Sequence, residues 1–67
     1  MNNLGTLYND GLGVEQDYET AVFWYTRAAE EGDSVAQYNL AVKNEYGQGV
    51  ETNIAEAVHW YLQAASN

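Results

Sequence analysis

Glu56-x-x-His59 is the arrangement in this sequence with the best spacing for chemistry. On a helix the two side chains share a face. That spacing supplies metal ligands in helical di-iron bundles, which also need a second copy of the motif and two further carboxylates from facing helices. Only a symmetric dimer would bring these together, so a helical metal-binding protein is the remote alternative and an exposed His59 the ordinary one. His59 is the sole histidine, cysteine is absent, and Ser34 and Ser66 are the only serines. No nucleophile stands at workable spacing from an orienting base and a third group. No catalytic residue, cofactor or metal ligand is therefore assigned, and the chain is not expected to be an enzyme. Glu30 and Glu31 are sequence neighbours that diverge around a helix and read as a solvated face. Gly11-x-Gly13 resembles half of a phosphate loop, but no strand precedes it, no lysine follows it and the local charge is negative, so it reads as a turn. The aromatic pairs Trp24-Tyr25 and Trp60-Tyr61 read as core and inter-repeat packing, with ligand stacking the lesser reading.

The elements that position these residues come in duplicate. Gly11-x-Gly13-Val14-Glu15 returns 36 residues later as Gly47-x-Gly49-Val50-Glu51. Ala21-Val22-x-Trp24-Tyr25-x-x-Ala28-Ala29 returns as Ala57-Val58-x-Trp60-Tyr61-x-x-Ala64-Ala65, and Asn3-Leu4 as Asn39-Leu40. Such a period points to a solenoid of stacked helical units. The fold class expected is all-α, with two helix-turn-helix repeats of an α/α superhelix. The chain reads as one unit, with repeat one at 1–32 and repeat two at 33–67, the second lacking a terminal glycine.

The first helix is expected over about 2–10, with Leu4, Leu7 and Tyr8 at helical spacing. Gly11 should terminate it in a left-handed conformation, and Val14 should plug the hairpin. A second helix over about 17–31 carries Tyr18, Ala21, Val22, Tyr25, Ala28 and Ala29 on one face, with Asp17 as N-cap and Gly32 at its end. Ser34-x-x-Gln37 and Asn53-x-x-Glu56 are capping-box patterns, predicting a third helix to about 46 and a fourth to about 65. The apolar face of the fourth carries Ala57, Val58, Tyr61, Ala64 and Ala65. Small alanines let helices approach closely, and the aromatic rings fill the space beside them.

Composition narrows the partners. Ten acidic residues face only Arg27 and Lys43, a net charge of −8. Phosphate binding needs clustered cations, so nucleic acid is a poor partner, and an anionic membrane surface is disfavoured for the same reason. A cationic peptide or basic protein face would be steered in, although the acids also serve simply to keep a surface soluble. No window approaches a transmembrane length, and no basic-then-apolar signal segment opens the chain. Localisation is otherwise open. The short length and the unmatched ends suggest either a small protein or a piece of a longer array.

These residues resemble the Sel1-like repeat family, relatives of the tetratricopeptide repeat. Its pattern is matched in the first repeat by Leu4, Gly5, Tyr8, Gly11, Gly13, Val14, Asp17, Ala21, Trp24, Tyr25, Ala28, Ala29 and Gly32. The longer period, the Gly-x-Gly-Val turn and the absence of proline favour this branch over plain tetratricopeptide repeats. The second repeat departs at Ala41 for glycine, Asn44 for tyrosine and Asn53 for aspartate. Asn44 puts a polar group where an aromatic belongs, so the repeat should be loosely packed there or meet a different neighbour. The resemblance implies a superhelix whose first helices line a concave face, and a non-enzymatic scaffold or protein-interaction role. It also implies that Asn3 and Asn39 hold the position whose asparagine bonds a ligand backbone in peptide-binding tetratricopeptide domains. The cations of a carboxylate clamp are missing, since Lys43 stands alone.

Two surfaces are candidates. Val35, Tyr38, Val42 and Tyr46 form a second stripe on the third helix. With Asn3 and Asn39 this stripe makes a partner-binding set, with the chain's own packing against the stripe as the competing expectation. Leu4, Leu7, Ala57, Trp60, Tyr61 and Ala64 make a self-association set, because two repeats without polar caps leave raw ends. The expected partners are a protein or peptide, cationic by charge, and a second copy in a homo-oligomer. The competing class is a structural segment of a longer array with no ligand of its own.

Overall fold

The computed structural model describes the backbone of residues 3–66 and the side chains of residues 5–66. Its helices are α1 (Asn3–Asp10), α2 (Tyr18–Glu30), α3 (Ser34–Tyr46) and α4 (Ile54–Ser66), with no strand among the described residues. The side chains of Asn3 and Leu4, both candidate site residues, lie outside the described set.

The 36-residue sequence repeat is also a repeat of backbone hydrogen bonds. Leu12 N–H donates to the Leu7 carbonyl at 3.0 Å, and Gln48 N–H to the Lys43 carbonyl at 3.1 Å. Asp17 N–H then reaches the Tyr8 carbonyl at 2.8 Å, and Asn53 N–H the Asn44 carbonyl at 2.9 Å. Each first helix is thus closed by a left-handed residue and its turn is tied back onto it. Gly47, with φ 67°, is that residue in the second repeat.

The caps follow the sequence at α2 and depart from it at α3. Asp17 accepts from Thr20 Oγ1–H at 2.9 Å and from Thr20 N–H at 3.2 Å. These bonds favour the carboxylate and hold its pKa below the ordinary aspartate value. At α3 the cap is Asp33, which accepts from the Val35 and Ala36 amides at 3.0 and 3.2 Å; Ser34 is already helical. The predicted Ser34-x-x-Gln37 box does not form, because the Gln37 amide is drawn across the helix link to the Ala29 carbonyl at 3.1 Å. Half of the second box forms: Asn53 Oδ1 accepts from Glu56 N–H at 3.0 Å, but the Glu56 carboxylate accepts from Trp60 Nε1–H at 3.0 Å instead of returning to the cap.

Each helix packs on its neighbours in sequence, α1 on α2, α2 on α3 and α3 on α4. The Cα trace measures 32 × 23 × 13 Å. The short dimension is that of two helix layers, since packed axes lie about 8–10 Å apart and each Cα cylinder adds about 2.3 Å. The core is built of Ala21, Tyr25, Ala28, Ala29, Ala36 and Leu40, with Tyr8, Val22 and Trp60 packed around it. Four of the six are alanines, so closeness of the backbones rather than side-chain bulk excludes water here.

The second turn is seated on the start of α2. A Cβ on Gly49 would fall on the Tyr18 carbonyl group and lie 2.8 Å from the Glu19 nitrogen. Lys43, only 6% exposed, lies beside the same joint. Its Nζ sits 4.3 Å from the centre of the Tyr18 ring and donates to Gln48 Oε1 at 2.9 Å. Burial pushes its ammonium pKa below the ordinary lysine value. The first turn has no such neighbour. Val14, expected to plug its hairpin, is instead exposed, whereas its counterpart Val50 is half-buried beside α2.

Candidate interaction surfaces

The apolar stripe on α3 is open. Val35, Tyr38 and Tyr46 are 59, 54 and 66% exposed, and Val42 and Asn39 are half-buried. The expectation that the chain's own packing would cover this stripe does not hold, because α2 and α4 take the other faces of α3. The Tyr38 ring meets that of Tyr61 of α4 edge-on at 5.5 Å. Tyr61 in turn donates its hydroxyl to Glu45 Oε1 at 2.6 Å, and this bond to a carboxylate pushes the phenol pKa up to about 12. A phenol that donates a hydrogen bond to a neighbouring anion resists ionising beside it.

Beside Tyr38 and Tyr61 lies a shallow apolar depression of about 490 Å³, lined also by Ser34, Val35, Ala64 and Ala65. Its origin is visible by comparing the two repeats. Tyr25, Ala28 and Ala29 are buried, whereas Tyr61 and Ala64 are half-buried and Ala65 is exposed. In the first pair the Tyr25 ring packs against Gly5 of α1, and Ala28 and Ala29 lie at the link into α3, their carbonyls accepting from Asp33 N–H and Gln37 Nε2–H. On α4 the matching positions meet no following helix among the described residues.

The predicted self-association set therefore divides. Tyr61 and Ala64 do face this depression. Ala57, only 2% exposed, is already used inside the chain and contributes to no open face. Trp60 packs on the core and lines a different cavity, between α2 and α4. Leu7 is half-buried on α1. Of the predicted apolar face of α4, Val58 is exposed.

That second cavity, about 720 Å³, was not anticipated from sequence. Asn44, the residue that breaks the repeat pattern, lies in its lining and is 5% exposed. The departure from tyrosine, read from the sequence as loose packing or a different neighbour, was the trace of it that the sequence held. For metal chemistry, no group of three His, Cys, Asp or Glu able to hold an ion occurs among the described residues. His59 is exposed and stacks edge-on to Trp60 at 4.9 Å, and Glu56 is engaged by Trp60. Among the described residues no helix is long and apolar enough to cross a membrane.

Comparison with known proteins agrees with this architecture. The Sel1 repeat matches the chain twice, over residues 1–33 and 34–67. A sel1-like repeat-containing protein of Acanthamoeba polyphaga mimivirus is 51% identical over 40 residues, which cover 60% of this chain and 8% of that protein. The crystal structure of a Sel1 repeat protein from Oxalobacter formigenes superposes with TM-score 0.95 and 49% identity, over 97% of this chain and 27% of that one. A protective antigen of uropathogenic Escherichia coli strains, displaying an SLR fold, superposes with TM-score 0.96 and 46% identity, over 97% of this chain and 14% of that one. The chain thus spans a small part of the proteins it resembles. With both repeats matched in sequence and the helical solenoid superposed along nearly its whole length, this chain belongs to the Sel1 repeat family.

Proposed function

We propose that this chain is a protein-interaction module that presents helix faces to a partner and performs no reaction of its own. Sel1 repeats generally serve as protein-interaction modules. The observation that carries the reading for this chain is the apolar surface running from Val35, Tyr38 and Tyr46 on α3 to Tyr61 and Ala64 on α4. Contiguous exposed apolar side chains of this kind mark interaction sites. A helix lying over Ala64 and Ala65 would cover them as the start of α3 covers Ala28 and Ala29. The alanines leave room for close approach, so a second copy meeting through the same face in a twofold dimer is the self-association this reading favours. Along α3, Asn39 offers an amide that both donates and accepts, beside Val35, Tyr38, Val42 and Tyr46, which suits an extended peptide. The net charge of −8 favours a cationic one.

Analytical ultracentrifugation with circular dichroism across a concentration series tests the self-association. A helical dimer that Ala64→Glu dissociates without loss of helicity supports it, and a stable, well-folded monomer at micromolar concentration sinks it. The second reading, a structural segment without a ligand, is favoured by the small share of its relatives that the chain spans. It would stand if no peptide bound saturably and Tyr38→Ala changed stability alone.

A further inference from the structure

The cavity between α2 and α4 has both helices packed on α3, whose Leu40 and Asn44 stand in its lining. At position 44 the lining carries asparagine where the first repeat carries Tyr8. An aromatic ring there would take up space that the amide leaves open. Asn44 Nδ2–H donates to the Leu40 carbonyl at 3.0 Å, and among the described residues its Oδ1 accepts no hydrogen bond. That oxygen is not among the sealed-off polar atoms either. Asn44, 95% withdrawn from solvent, thus lines the cavity and keeps one acceptor that no described residue uses.

The lining carries three carboxylates, Glu30 from α2, Glu51 from the second turn and Glu56 from α4, and no cation. Both side-chain cations of the protein are spent elsewhere. Lys43 is buried at the Tyr18 joint, and Arg27 lies 5.8 Å from the centre of the Phe23 ring. Trp60 contributes an indole to the wall and holds Glu56 by its Nε1–H. The volume lies in the range of ligand-accepting clefts, about 300–1,000 Å³.

We propose that this groove docks an arginine side chain of a partner peptide. The inference rests on the reading of the chain as a protein-binding module, but on a face different from the α3 stripe. A guanidinium is planar, permanently charged and carries five N–H donors, so it can pair with carboxylates and reach a neutral acceptor at once, and it stacks on aromatic rings. The groove's lining holds a residue for each of these, namely Glu30, Glu51 and Glu56 for the charge, Asn44 for a neutral acceptor and Trp60 for a ring. A lysine ammonium can meet the same kinds of group, but it is a compact, more strongly hydrated point charge without the planar fork that pairs with a carboxylate through two bonds.

The repeat provides its own control, because Glu15 is the counterpart of Glu51 on the first turn and lies outside the groove. Blocked nonapeptides of alternating glycine and arginine, or glycine and lysine, would be titrated by calorimetry at 0.15 M salt. The arginine peptide should bind and the lysine peptide should bind more weakly. Glu51→Gln should weaken arginine binding about three- to fivefold, the scale of one exposed ion pair, whereas Glu15→Gln should leave it unchanged. Asn44→Tyr should fill the space that the amide leaves open and abolish binding, with helicity retained. If that variant fails to fold, the Glu51 and Glu15 pair still decides. Equal losses at Glu15 and Glu51, equal affinity for lysine and arginine, no detectable binding, or undiminished binding to a folded Asn44→Tyr variant would each overturn the proposal. Sedimentation of the same samples, without peptide, reports self-association separately, so failure of the groove leaves the interaction reading of the other face intact.

Discussion

Gly49→Ala should destabilise the protein far more than Gly13→Ala, although the two glycines occupy the same place in the same turn. Their φ values are 81° and 80°. An alanine held there costs about 1–2 kcal/mol and restricts the unfolded chain by about 0.4–1 kcal/mol in the opposite sense. Both terms are common to the two variants and cancel in their difference. What remains is contact. A Cβ on Gly13 meets nothing within 4 Å, whereas one on Gly49 runs into the Tyr18 carbonyl and the Glu19 amide. Those are backbone atoms at the capped start of α2, so no side chain can swing aside. Either the turn or the helix must move, and overpacking of this kind costs about 1–3 kcal/mol. A domain of this size has roughly 3–5 kcal/mol from its core, so Gly49→Ala brings the fold close to its limit. Each kcal/mol lowers the melting midpoint by about 4–8 °C at this length. Thermal melts followed by circular dichroism should therefore place Gly49→Ala about 4–24 °C below Gly13→Ala. If the two variants melt together, the second turn is not seated on α2 and the account of the inter-repeat joint is wrong.

The remaining predictions concern capping, alkaline stability and the lone lysine. Asp33→Ala should cost about 1 kcal/mol in urea unfolding, the scale of a lost N-cap, with Ser34→Ala nearly silent; the reverse order would restore the capping box that the sequence suggested. The Tyr61 phenol is raised from 10.0 to about 12 in the fold. Its neutral form is therefore favoured by folding, and its contribution is complete below pH 10 and lost as pH climbs towards 12. Tyr61→Phe should remove that alkaline loss and the latest-ionising phenol in an ultraviolet titration, and an unchanged alkaline limb would count against the Glu45 bond. Lys43→Met keeps the buried stem but removes the ammonium over Tyr18 and the bond to Gln48, a loss of about 1 kcal/mol expected in the same urea assay; a more stable variant would mean burial of the charge outweighs both contacts.

The four helices, the glycine that ends α3, the Asp17 cap and the two-repeat solenoid were legible in the sequence. Each depends on side-chain type and spacing within a few residues, and the 36-residue echo says that the same local elements recur in both units. The site was less legible. The α3 stripe could be located by its period, but whether its own chain covered it could not, since that depends on which faces α2 and α4 occupy. The cavity between α2 and α4 was visible only as an anomaly, an asparagine in a tyrosine's place.

What the tertiary structure alone decided is how identical segments come to differ. Gly13 and Gly49 share a motif and a backbone conformation, yet only Gly49 touches another helix. Val14 is exposed and Val50 half-buried; Ala29 is covered and Ala65 is not. Gln37 and Glu56, expected to close their own helix starts, bond instead to the Ala29 carbonyl and to Trp60. Local propensity and periodicity are properties of the chain taken a few residues at a time, so the sequence carries them. Burial is a property of stacking, set by whether a neighbouring unit stands on a given side, and two copies of one motif have different neighbours.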